Sequence, residues 1–163
     1  MRRILSTLWA AAMASLAIGA ANAQVIQRYS TGQWDIEANA TRGSFENCTA
    51  TGQYGGGASV MFMLTRTFTW GVAITNPRWN WEKGTEGNVS YWVDSYQRRQ
   101  GRVRALASTE LMVLLADSQQ LFQEIRAGDT MYFEPQGAER FSITLVGTSV
   151  ALNELLACVQ RHR

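Results

Sequence analysis

From Gly32 onward most of the chain alternates apolar and polar positions at a period of two, and only two stretches switch to a helical period. Trp34, Ile36 and Ala38 alternate with Asp35 and Glu37, which predicts a strand with the apolar set inward. Phe45–Thr51 alternates too. Phe45 and Cys48 fall on opposite faces of an unbroken strand, so a bulge or an early start is expected there. Ala58–Thr65 and Phe68–Ile74 form the clearest pair. Their Arg66-Thr67 link is poor chemistry for a two-residue primed turn, so a longer link is expected. Asn76-Pro77 ends the pair, and Arg78–Gly87 reads as a polar loop carrying Trp79 and Trp81. Asn88–Asp94, Val103–Ala107, Glu110–Leu115, Thr130–Glu134 and Phe141–Leu145 are further strands. Gln24–Thr31 has no clear period and reads as a loose polar arm.

Two segments follow the helical period. Asp117-Ser118 caps a short helix with Leu121, Phe122 and Ile125 inside and Gly128 in a left-handed C-terminal position. Leu152, Leu155, Leu156 and Val159 make one stripe of a closing helix, with Thr148 or Ser149 as its N-cap. The sum is mainly β: an antiparallel, β-sandwich-like domain with a short helix and a C-terminal amphipathic helix, bordering on α+β.

Residues 1–23 change the picture, because they read as a removable leader. Arg2 and Arg3 precede a mostly apolar run from Ile4 to Ile18, and Ala21-Asn22-Ala23 fits a small-x-small cleavage site. Residues 24–163 are then one β-rich domain, exported to the periplasm or secreted, with no stable membrane insertion after the leader is removed. The two leader arginines also account for the excess charge: of 15 Lys+Arg against 13 Asp+Glu, the remainder balances. A basic surface for nucleic acid is therefore not expected. The chain has two cysteines, Cys48 and Cys158, and in an exported protein these should pair. The bond would close a loop of about 110 residues, worth roughly 4–5 kcal/mol by chain entropy.

Catalytic chemistry is thinly supplied. The one histidine, His162, sits beside the C-terminus, so no catalytic residue, metal site or cofactor is assigned. A carboxylate pair among Glu82, Glu86 and Asp94, with tryptophans as a sugar platform, gives an alternative reading as a carbohydrate-active enzyme. Trp79 and Trp81 are candidate binding residues for another protein or a glycan, with core packing as the competing reading; Trp92 is expected in the core. Arg98 and Arg99, with Arg102 and Arg104, are candidates for a phosphate or an acidic partner. Protection of an outer strand edge is the preferred account of that cluster.

A short helix at Gln119–Arg126 is followed by Gly128-Asp129, a strand, then Phe141-Ser142-Ile143-Thr144-Leu145-Val146-Gly147-Thr148 and Ala151-Leu152-x-x-Leu155. This rhythm, over about 50 residues, resembles the closing segment of invasion-associated locus B-like proteins and of other proteobacterial periplasmic domains. The likeness departs in the cysteines, which that family carries in greater number in its core. It implies an exported, non-enzymatic β-sandwich that helps the cell meet its surroundings or host. The expected function is thus a disulfide-clasped envelope or secreted interaction module.

Overall fold

The alternating stretches fold as ten antiparallel strands of one sheet, seen in a computed structural model that describes residues 23–163. The leader, apart from Ala23, lies outside the described residues. The strands are β1 (Ala23–Thr31), β2 (Trp34–Thr41), β3 (Ser44–Gln53), β4 (Ser59–Thr65), β5 (Trp70–Thr75), β6 (Glu86–Val93), β7 (Arg99–Ala107), β8 (Glu110–Leu114), β9 (Thr130–Pro135) and β10 (Phe141–Thr144). Helix α1 (Gln119–Ala127) precedes β9 and α2 (Thr148–His162) closes the chain. Across the sheet the order is β1-β2-β3-β4-β5-β8-β7-β6-β9-β10.

The sandwich character comes from this one sheet curling over its own inner face. Tyr54, just after β3, donates its hydroxyl to the Thr144 carbonyl at the β10 edge, 2.9 Å away. The Gln33 amide, in the turn after β1, donates to the Val146 carbonyl at 2.7 Å. Inside the curl, α2 packs on β2, β3 and β4 and also meets α1. Leu152, Leu155 and Val159 of its predicted stripe are buried, and Leu156 is half-buried. Cys158 on the same helix is bonded to Cys48 on β3, with Cα atoms 6.2 Å apart. Trp34 sits at the centre against Phe62, with ring centroids 6.0 Å apart. Its indole needs glycine on two sides: an added Cβ would lie 3.0 Å from it at Gly52 and at Gly147.

Four local expectations are corrected. The loose arm at Gln24–Thr31 is strand β1, paired with β2 along its length. Its side chains are mostly exposed on both faces, so backbone pairing leaves no apolar period to read. The link after β4 runs through Arg66–Thr69, and β5 begins at Trp70, two residues later than Phe68. Phe68 takes a left-handed φ of 62° there, a conformation that matches the longer turn. Gly128 is not left-handed (φ −85°); it is glycine because a Cβ would press within 2.8 Å of the Glu124 carbonyl. Gly147, at φ 77°, is the N-cap of α2. The buried Thr148 hydroxyl instead donates to the carbonyls of Leu145 (2.8 Å) and Ile125 (2.9 Å). Ser118 does cap α1, accepting from the Leu121 N–H. The anticipated bulge in β3 is also present, where the register with β2 steps past Glu46.

Candidate functional site

Successive strand residues point to opposite faces, so every inward residue fixes an outward neighbour. Val60, Phe62 and Leu64 of β4 enter the core, which turns Met61 and Met63 outward. On β5, Val72 and Ile74 point in, leaving Gly71 and Ala73 outside; on β8, Leu111 and Val113 point in, leaving Met112 and Leu114 outside. Strand pairing aligns these into rows. One row reads Glu37, Thr49, Met63, Gly71, Leu114, Arg102 across β2-β3-β4-β5-β8-β7. The next reads Asp35, Thr51, Met61, Ala73, Met112, Arg104.

The middle of this outward face is apolar. Leu114 is 48% exposed, and the three methionines are half-buried. Strand β5 is a low shelf under them: a Cβ on Gly71 would come within 3.3 Å of the Met112 sulfur and 2.8 Å of the Val113 carbonyl. At one rim Arg102 and Arg104 are exposed and share a single carboxylate, Glu86, at 3.5 and 3.6 Å. At the other rim Glu37 holds Arg28 at 2.6 Å, while Asp35 accepts the Ser30 hydroxyl at 2.6 Å. A hollow of about 330 Å³ lies between the arginine rim and Leu106, Met112 and Leu114.

Farther along the same face, Trp92 stacks on Tyr132 with centroids 5.3 Å apart and planes 15° apart. The Arg98 guanidinium lies 3.8 Å above the indole and bonds Glu134 at 2.8 Å. Trp92, expected in the core, is thus buried to 6% exposure on the outer face, by Tyr132 and an arginine cover. Arg99, one residue on, points inward. Its guanidinium makes a two-pronged bond to Glu124 of α1, at 2.6 and 3.0 Å, in a pair that is almost fully buried. Arg98 and Arg99 therefore serve opposite faces, and the second is spent on clamping α1 to β7. Strand β7 lies between β8 and β6, so the edge-protection account of the arginine cluster is overturned.

Trp79 and Trp81 are half-buried and pack against the core. Their rings meet edge to face at 6.3 Å, and Trp79 reaches Phe141 of β10 at 4.8 Å. The Trp81 indole N–H is buried without a partner among the described residues, while its backbone N–H is tied to the Ser108 carbonyl at 2.8 Å. Of the three acids in the same region, Glu86 and Asp94 stand at opposite ends of β6, roughly 26 Å apart by strand rise. Asp94 accepts the backbone N–H groups of Asp129 and Thr130, at 3.0 and 2.9 Å, which closes the turn into β9. Glu82 is exposed in the loop. His162 bonds Gln27 at 2.8 Å and stacks on Phe45.

The fold has a solved counterpart. The crystal structure of invasion associated protein b from Bartonella henselae is similar to this chain with a TM-score of 0.61, at 17% identity. The match covers 84% of this chain and 99% of that one, and it is a likeness of fold. No protein-family model and no curated protein matches the chain by sequence. The resemblance drawn from the closing helix-strand-helix segment thus extends, as a fold, over most of the molecule.

The outward methionine rows were missed in the sequence, although their signal is present. Val60-Met61-Phe62-Met63-Leu64 is apolar at every position, and such a run marks a strand with both faces apolar rather than one.

Proposed function

We propose that this chain is an exported, non-enzymatic interaction module that binds through the outward face of β4, β5 and β8. The observation that carries the reading is the placement of Met61, Met63, Met112 and Leu114 on the solvent side of the sheet's centre. A sheet whose other face is the core is ordinarily polar outside, and contiguous outward apolar side chains mark contact surfaces. Methionine suits such a surface, because its unbranched thioether repacks against partners of different shape. The disulfide fits an oxidising compartment. The likeness to an invasion associated protein lends the envelope setting support at the level of fold.

The test is a photo-crosslinking amino acid placed at position 63 or 112 and, as a control, at the exposed Asn153 on α2. In cells exporting the protein, positions 63 and 112 should give discrete adducts and position 153 none. Absence of adducts from both face positions, whatever their mass, would remove this face as the contact surface.

A further inference from the structure

The curl that closes the core leaves one edge of the sheet short of partners. Strand β10 has β9 on one side and no strand on the other. Two bonds set the phase of that pairing. The Leu145 N–H donates to the Asp129 carbonyl at 2.8 Å, while the Thr130 carbonyl turns the other way and accepts the Asp94 N–H just past β6, at 2.9 Å. Opposed residues of antiparallel strands alternate between exchanging backbone bonds and not exchanging them. Phe141 and Ile143 therefore bond to Phe133 and Met131, whereas Ser142 and Thr144 aim their backbone groups away from β9. The Tyr54 hydroxyl on the Thr144 carbonyl is an outward contact of the kind this phase requires. Among the described residues nothing takes the other three groups: the Ser142 N–H, the Ser142 carbonyl and the Thr144 N–H.

A hollow of about 320 Å³ runs along this edge. All four residues of β10 line it, with Tyr54, Ser59, Thr75 and Trp79 among the residues across from them. No residue of β9 lines it, so it follows the unpaired side of β10 and not the face shared by the two strands. Phe141 and Trp79, with centroids 4.8 Å apart, give it an aromatic wall. We propose that this hollow receives an extended segment of another polypeptide, which adds to β10 as a further antiparallel strand.

The free groups select the occupant. Donor, acceptor and donor follow one another along the edge at strand spacing, and their complement is the carbonyl, N–H and carbonyl of an extended backbone. A peptide residue opposite Ser142 exchanges two bonds with it, and the residue opposite Thr144 accepts the Thr144 N–H. The peptide residues opposite Phe141 and Ile143 then point inward, two positions apart, toward the aromatic wall. Backbone pairing supplies the affinity in this mode of recognition and the inward side chains supply the choice of sequence. The site is separate from the outward face of β4, β5 and β8 and does not depend on it. With only four residues in β10, the contact belongs to the weak and transient class.

The test selects random twelve-residue peptides, displayed on phage, against the purified disulfide-bonded protein. Enriched peptides are then measured by fluorescence anisotropy on wild type and on Ser142→Pro. Proline removes the outward N–H without touching a bond to β9, and an edge strand accepts it there. Enriched sequences should share two apolar residues at i and i+2, and should bind Ser142→Pro at least about tenfold more weakly, for the loss of one backbone bond beside a buried partner. Methylating the peptide nitrogen opposite Ser142 should abolish binding, while methylating either neighbouring nitrogen, which points away from β10, should not. Thermal unfolding beside wild type shows that Ser142→Pro is folded; if it is not, the methylation series decides alone. Enrichment of no peptide overturns the proposal. Peptides that bind folded Ser142→Pro as tightly as wild type, or that lack the alternating response to methylation, overturn it too.

Discussion

Tyr91 shows how one buried polar atom ties three strands together. Its ring lies over Gly101 of β7, where a Cβ would come within 2.8 Å, and its hydroxyl accepts the Ala116 N–H at 2.7 Å just beyond β8. Burial raises the phenol above its ordinary pKa; the Ala116 hydrogen bond and the Arg99 charge offset part of that rise. The unfolded phenol titrates near 10. Above that pH the folded protein keeps a proton that the unfolded chain has lost, so stability is full below about pH 10 and falls as pH climbs through the raised value. Tyr91→Phe should flatten part of this alkaline decline while costing about 1 kcal/mol at neutral pH, through the orphaned Ala116 N–H. Urea midpoints measured against pH for both proteins check it; identical alkaline slopes would refute the assignment. Tyr29 and Tyr54 are also raised, so some slope should remain. At this scale the sequence is legible for inward residues, since period two separates Val89, Tyr91 and Val93 from their neighbours. It is silent on Trp92, because what buries that ring is Arg98 and Tyr132, the latter 40 residues away in the chain.

Among the elements, the segment from Arg78 to Thr85 reverses its sequence impression most. Polar composition marks it as a loop and leaves its tryptophans open between surface patch and core packing, yet both indoles pack against the core, Trp79 on Phe141 and Trp81 on Trp79. Trp79→Ala and Trp81→Ala should each destabilise the protein by about 2 kcal/mol, less than a fully buried tryptophan because each is half-exposed. Thermal denaturation reads this directly, and a change below about 0.5 kcal/mol for both would restore them as a free surface patch. The arginine pair divides at the start of a strand. Arg98 lies in the loop before β7 and covers Trp92, whereas Arg99 is the first residue of β7, on its inward side, and meets Glu124. Cluster composition carries no sign of that split, whereas a register would have. The helices were readable in extent from their stripes, but their ends were decided by close approach: Gly128 against the Glu124 carbonyl, and Gly147 against Trp34.

For the whole molecule, the Cys48–Cys158 bond joins the strand side of the curl to the helix lining it. Replacing either cysteine with serine should lower stability by roughly 4–5 kcal/mol, given a closed loop of 110 residues. Guanidinium unfolding of the variants beside wild type, with and without reductant, measures it. A loss under about 1 kcal/mol would mean that the unfolded chain is barely restrained by the bond. The pairing and the mainly-β class were within reach of the sequence, as were most of the hairpins. The strand order was not. Strands β5 and β8 lie side by side across 34 residues, and nothing in either strand names the other; the curl decides it by closing the core.

The same bond has a consequence in time. A chain made from its N-terminus presents Cys48 early, in a hairpin whose strands are already complete, while Cys158 arrives with the final turns of the last helix. No third thiol exists to divert the first one, so the early cysteine waits unpaired through most of the chain's delivery. The bond can close only after the last segment has been delivered, because its second sulfur lies on the final helix. Oxidation is then a late event in the life of the chain, and the restraint it places on the unfolded state is absent until the whole sequence has been delivered.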